Sequence, residues 1–268
     1  MLKKCAAIWN AVRAQTPLVH CITNYVTVTD VANIVLASGA SPAMVENPAE
    51  AGDFARLASA LYFNLGTLTG EQELAMVVAA GAAAEKGRAL IVDPVACGVI
   101  PRKIAVLERL ERAGKITCIK GNAAEIKSLA GIEARARGVD SLDLGEGMGE
   151  ACQSLAAQKQ AVVAATGAVD VVADAQKIAL IKNGTRLFGC ITGAGCMAGG
   201  VVAACIGSSP ADPWLATITG LLAFNIAGER AAGMAGDNPG TFRSLLFDQL
   251  YNLRGTDILE EGRVEWSG

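Results

Sequence analysis

The stretch "ALYFNLGTLTGEQELAMVVAAGAAAEKGRALIVDPV", residues 60–95, decides the fold. It opens on a short apolar run, 60–66, that stops at asparagine and glycine. A helix-like segment follows at 70–87, and a second apolar run, 89–95, stops at Asp93-Pro94. Near-continuous apolar runs bounded by turn residues are how strands buried on both faces read. Strand, helix, strand in this order predicts a parallel unit.

The same pattern extends outward. "ITCIK" (116–120) and "AVVAATG" (161–167) are further strand-like runs. Helix-like segments lie at 101–114 and 122–131, with Pro101 suited to a first turn and Gly114 to a C-terminal cap. Upstream, "VTVTDVANIVLASGA" (26–40) reads as a helix closed by Gly39. The repetition predicts a doubly wound α/β sheet. After Thr166 the pattern changes: 169–184 reads as a hairpin turning near Asp174-Ala175, and helices are expected at 212–234 and 242–253. The charged, glycine-containing stretch 134–147 reads as a loop within one domain spanning 1–268, because a strand pattern resumes after it.

The chain has 268 residues, 52% hydrophobic and only 18% charged, with a net charge of −3. Ordinary domains carry roughly 25% charge, so part of this surface is expected to be buried in an oligomer. No basic run exceeds two residues, which leaves nucleic-acid binding without an electrostatic footprint. Eight cysteines form no C-x-x-C pair and His20 is the one histidine, which argues against zinc. The cysteines read as reduced cytoplasmic thiols, mostly small core residues, Cys190 among them. Residues 187–211 carry no charge, but their glycines and few large aliphatics favour a loop and a buried helix over a membrane span.

In such a sheet, ligands bind beyond the carboxyl ends of the strands. The residues there are Asn64 to Thr67, Asp93, Lys120 to Asn122 with Glu125, and Thr166-Gly167. Asp93 and Glu125 are hard oxygen donors that suit Mg²⁺ shared with phosphate. Glu125 also stands three positions after Asn122, the spacing of a plain capping box. Lys120 follows an apolar strand, where its charge can hold a phosphate.

"GCITGAGCMAGG" (189–200) is neither a P-loop nor a convincing dinucleotide fingerprint, since no βαβ unit follows it. Gly193, Ala194 and Gly195 open a helix expected to run through 206, and bare N–H groups at such a start bind anions. Gly199 and Gly200 suit close packing. Cys196, in the first turn, is expected to have a lowered thiol pKa. It can act as nucleophile, weak base or small buried residue.

In order and spacing, "PLVHCITNYVTVTDVANIVLASGASPAM", "NLGTL", "DPVACG", "KGNAAEI", "ATGAVDVV" and "ITGAGCMAGG" together resemble the hydroxyethylthiazole kinases, of the ribokinase-like fold. The resemblance runs from about Pro17 to the C-terminal helices. It implies a three-layer αβα architecture with a mostly parallel central sheet and helices on both faces. It implies phosphorylation of 4-methyl-5-(2-hydroxyethyl)thiazole by ATP with Mg²⁺ in thiamine biosynthesis or salvage. By resemblance, Met44 contacts substrate, Asn24 and Gly66 line the thiazole pocket, and Gly193 touches substrate. Lys120 and Thr166 resemble ATP contacts beside Asn122, while Asn122 and Glu125 resemble the magnesium motif N-x-x-E, helped by Asp93. Gly193 to Cys196 resemble the anion hole. The family is trimeric, with active sites between subunits. Two departures stand out: Lys120 replaces the arginine usual before "GN", and Cys196 holds the place where the wider superfamily has an aspartate base. Other readings stay open, namely a pyrimidine alcohol kinase or repair dehydratase on the same fold, or a non-catalytic binder of thiazole or nucleotide.

Overall fold

The structure, a computed structural model, describes residues 1–132 and 146–267. In chain order it opens with α1 (Leu2–Gln15), β1 (Leu18–Ile22), α2 (Val28–Ala37), β2 (Ser41–Ala43) and α3 (Pro48–Leu57). The central run is β3 (Ala60–Asn64), α4 (Gly70–Glu85), β4 (Ala89–Asp93), α5 (Pro101–Ala113), β5 (Cys118–Asn122) and α6 (Ala123–Leu129). Then come α7 (Glu146–Lys159), β6 (Val162–Thr166), β7 (Asp170–Ala173) and β8 (Ile178–Ile181). A short 3₁₀ turn at Arg186–Cys190 leads to α8 (Ala194–Ser208), α9 (Pro213–Ala235), α10 (Pro239–Asn252), α11 (Gly255–Glu261) and β9 (Val264–Ser267).

The strands form one sheet in the order β2-β1-β3-β4-β5-β6-β7-β8-β9. The first six in that order pair in parallel, and the last three join antiparallel. The chain therefore starts at β1, steps outward to β2, then returns past β1 to β3. That reversal opens a crevice between β1 and β3, at the carboxyl ends. Register aligns the polar strand ends: Asn64 lies opposite Asp93, and Asn122 opposite Thr166.

Alternation along each strand splits the core in two. Ala60, Tyr62 and Ile91 face one cluster, with α1, α2, α8, α9, α10 and α11. Leu61, Phe63, Leu90 and Val92 face the other, with α3 to α7. This is the three-layer αβα arrangement that the sequence resemblance implies. Close packing of α8 depends on its small residues. A Cβ on Gly199 would lie 2.5 Å from the Tyr62 ring, and one on Gly200 3.0 Å from Val35.

The strands at 60–64, 89–93 and 162–166 and the 170–181 hairpin lie where the sequence placed them. The expected strand at 116–120 is shifted to Cys118–Asn122, so Lys120 lies inside β5 rather than beyond it. Residues 26–40 contain α2, after which Gly39 adopts a positive φ of 92°. The expected loop 134–147 falls outside the described residues except for 146–147, which open α7. Residues 187–211 form the 3₁₀ turn, a loop and α8; among the described residues no helix is long and apolar enough to cross a membrane. One expectation about the core is corrected. Cys190 is exposed, because the 3₁₀ turn carries it at the surface, whereas Cys196 is half-buried and the other six cysteines are buried.

Candidate active site

The crevice between β1 and β3 is closed by a set of buried amides. Asn24 follows β1, and its Nδ2 donates to Asn64 Oδ1 at 2.9 Å. The same Asn64 oxygen accepts the Gly66 N–H at 3.0 Å. Asn64 Nδ2 donates to Tyr62 Oη and to Cys196 Sγ, each at 3.2 Å. Asn24 Nδ2 also reaches that sulfur at 3.5 Å. Gly66 has to be small here, since a Cβ would stand 3.0 Å from Asn64 Oδ1 and 3.2 Å from Asn24 Nδ2. Three expected residues, Asn24, Gly66 and Cys196, thus meet around a fourth, Asn64.

Cys196 is set by α8. Gly193 caps that helix with a φ of 82°, and a Cβ there would collide with Thr27 at 2.4 Å. The expected fall in the Cys196 pKa is not found. Burial, and after it the nearby Asp93 carboxylate, push the thiol above its ordinary value. Desolvation of a thiolate outweighs the pull of one helix terminus. The group is therefore a neutral thiol near pH 7.

Lys120 and Asp93 form a buried ion pair at 3.0 Å, with both side chains nearly inaccessible. Burial disfavours the charged amine, but Asp93 more than offsets it and the Lys120 pKa lies above the ordinary value. Tyr62 Oη donates to the same Asp93 oxygen at 3.2 Å. Lys120 Nζ would lie 3.7 Å from a Cβ on Gly195, which puts the ammonium beneath the opening turn of α8.

Glu125 forms the capping box at the start of α6. Its Oε2 accepts the Asn122 N–H at 2.8 Å, while Asn122 Oδ1 accepts the Glu125 N–H at 3.0 Å. Its Oε1 accepts the Ala96 N–H at 3.0 Å. Burial pushes the carboxyl up despite these bonds. A cavity of about 730 Å³ lies beside this corner, the size of small-molecule sites. Asn122, Thr166, Ala194 and Gly195 line it. Phe188 and Phe224, stacked at 4.8 Å, form an apolar wall. Met44, half-buried just beyond β2, packs against the same core cluster as Cys196. The next residue, Val45, is tied by its carbonyl to His20 Nε2 at 2.7 Å.

The comparisons with known proteins agree on one assignment. The model of the hydroxyethylthiazole kinase family matches residues 9–256. The chain belongs to the hydroxyethylthiazole kinase family. A hydroxyethylthiazole kinase of Syntrophomonas wolfei is 65% identical over 99% of this chain and 100% of its own length. One from Clostridium novyi is 48% identical, with 99% and 100% covered. The solved structure of a hydroxyethylthiazole kinase from Pyrococcus horikoshii superposes with a TM-score of 0.91 at 33% identity, covering 99% of this chain and 100% of that one. A pyridoxal kinase from Staphylococcus aureus, solved with AMP-PCP and pyridoxal, shares the fold at a TM-score of 0.64 and 16% identity, over 94% of this chain and 98% of its own.

Hydroxyethylthiazole kinases are expected to use magnesium, and the donor set bears on that. Among the described residues, no three His, Cys, Asp or Glu side chains cluster to hold a metal ion by themselves. Asp93 spends Oδ2 on Lys120 and Tyr62. Two carboxylates at one corner fit an ion that keeps its waters and arrives with phosphate, rather than a resident one. Residues the sequence reading passed over are Tyr62, and on the cavity wall Asp170, Asn183, Phe188, Phe224 and Asn225. A phenol within an apolar strand two residues before Asn64 was the available signal for Tyr62. The cavity residues come from the antiparallel half, the 3₁₀ turn and α9, where the rule about parallel strand ends does not reach.

Proposed function

We propose that this family member transfers the terminal phosphoryl group of ATP, with Mg²⁺, to the hydroxyl of 4-methyl-5-(2-hydroxyethyl)thiazole, giving the thiazole phosphate used for thiamine. The observation that carries this is the meeting of the Asn24–Asn64–Gly66 cluster with the opening turn of α8 at Cys196. On one side is an uncharged amide-lined crevice suited to a small polar heterocycle. On the other are Lys120, the N–H groups of residues 193–196 and the cavity with Thr166, suited to a nucleotide.

Phosphoryl transfer depends mainly on positioning and on neutralising charge. The N–H groups of residues 193–196 face the charge that grows on the transferred group. Lys120 adds a fixed positive charge beneath them. Asp93 and Glu125 would hold the magnesium ion, which supplies further neutralisation of the phosphates. Thr166 and Asn122 hold nucleotide in the cavity, and Met44 and Gly193 hold the thiazole. Cys196, a neutral thiol, acts mainly as a small neighbour of the alcohol that accepts amide hydrogen bonds.

The whole chain acts as one catalytic domain and assembles as a trimer whose neighbouring copies complete the site. Tyr25 and Val26, more than half exposed, directly follow Asn24 and support that reading. Eight unpaired cysteines and a dependence on ATP support residence in the cytoplasm. A coupled assay tests the reaction: purified protein should form ADP from MgATP only when hydroxyethylthiazole is present. Equal turnover on a pyrimidine alcohol, or none on the thiazole, would contradict the assignment.

A further inference from the structure

The Tyr62 ring is wholly buried between β3 and α8. Its hydroxyl does two things at once. It donates to Asp93 Oδ2 and accepts from Asn64 Nδ2, each at 3.2 Å. The same Asp93 oxygen accepts from Lys120 Nζ at 3.0 Å. The hydroxyl has room only because residue 199 is glycine. A Cβ there would stand 2.5 Å from Tyr62 Oη and from two ring carbons.

Arginine would grip a carboxylate with a planar two-pronged fork, whereas lysine offers a single point charge on a flexible stem. Lys120 therefore gives Asp93 Oδ2 a single donor, at 3.0 Å. The Tyr62 hydroxyl gives Asp93 Oδ2 a second donor from the opposite element. We infer that Tyr62 is a positioning residue: its hydroxyl, seated against Gly199, fixes Asp93 and thereby aims the Lys120 ammonium at the opening turn of α8. The inference rests on the kinase reading above and adds to it a residue that touches neither substrate. An oxygen held by two donors cannot swing, and the ammonium paired with it keeps its place under Gly195. Tyr62, Lys120 and Gly199 then work as one set.

Tyr62→Phe removes one oxygen and keeps the ring. We expect kcat/KM for ATP to fall about tenfold, the strength of one hydrogen bond to a charged group. KM for the thiazole should change less than twofold, because Asn64 keeps its bonds to Asn24, Gly66 and Cys196. Affinity for MgADP, measured by calorimetry without thiazole, should fall severalfold. In a Lys120→Arg background the fork gives Asp93 a second bond of its own, and Tyr62→Phe should then cost less than threefold. A lower melting temperature with unchanged ATP parameters would make Tyr62 merely structural and overturn the inference. So would the same tenfold loss in the Lys120→Arg background. Failure of wild-type thiazole turnover would strike the substrate reading instead, and calorimetry would still report on Tyr62.

Discussion

At the scale of single residues, Cys196 shows how burial decides chemistry. Its place in the first turn of a helix suggested a lowered pKa, but the thiol sits beside Asp93 in a desolvated corner and its pKa rises. A protonated thiol cannot take an alcohol proton efficiently, and general bases usually contribute 10²–10⁴-fold. Cys196→Ala should therefore lower kcat by less than about tenfold. Cys196→Asp should retain turnover, because the Asn24 and Asn64 amides that face the sulfur can donate to a carboxylate. Steady-state kinetics on both variants check this, and a loss of 10³-fold in the alanine variant would restore a base or nucleophile. Glu125 was legible in two ways, as metal ligand and as capping residue, and geometry shows the cap made in full. The two roles are compatible, since the cap is what holds the carboxylate at the strand end. Lys120 was legible as a charge at a strand end but not as half of a buried pair. Its partner lies 27 residues away, and sequence spacing carries no information on that contact.

At the scale of elements, the parallel strands β3 to β6 were readable because each is a buried apolar run bounded by polar residues. β1, β2 and β9 were not. β1 carries a histidine and a cysteine among its five residues, and β2 is three residues long with a proline. Among the described residues β9 is an edge strand paired to β8, and it is largely exposed, so it lacks the apolar signature. The turn between β6 and β7 shows what such gaps hide. Asp170 opens β7, accepts the Gly167 N–H at 2.9 Å and accepts from Asn225 of α9 at 2.8 Å. It thus ties the Thr166-Gly167 wall of the cavity to a helix. Burial pushes its carboxyl from 3.8 up to about 6. A carboxyl whose folded pKa is raised binds its proton more tightly when folded. Its contribution to stability is full below pH 3.8 and is lost as pH rises to about 6. The loss amounts to about 3 kcal/mol. Compared with Asp170→Asn, the wild type should lose relative stability between pH 4 and 6 and show no further change above 7. Denaturant melts of both proteins at pH 4.5, 5.5 and 7 check this; a difference independent of pH would contradict the raised pKa.

At the scale of the whole molecule, layer order and site location were legible together, because both follow from one rule about strand ends. The cavity beside α9 was not, since α8 and α9 are buried on nearly all sides and carry no amphipathic stripe to orient them. The low charge fraction pointed to surface that is covered in an assembly. The folded chain shows where apolar surface remains near the site: Tyr25 is 55% and Val26 62% exposed, immediately after Asn24. Two large apolar side chains at the mouth of a crevice are costly in water, at about 25 cal/mol per Å². A neighbouring copy would cover them and close the crevice. Val26→Asp tests this cleanly, because an exposed position tolerates a charge within the single chain. Light scattering should give the mass of three 27.4 kDa chains for the wild type, as the proposed trimer requires, and a mass nearer one chain for the variant. Thiazole turnover should fall with the mass, while circular dichroism stays unchanged. If mass and turnover both hold, the mouth is not an interface and the site is complete within one chain. If mass falls and turnover holds, the copies assemble there without contributing to the chemistry.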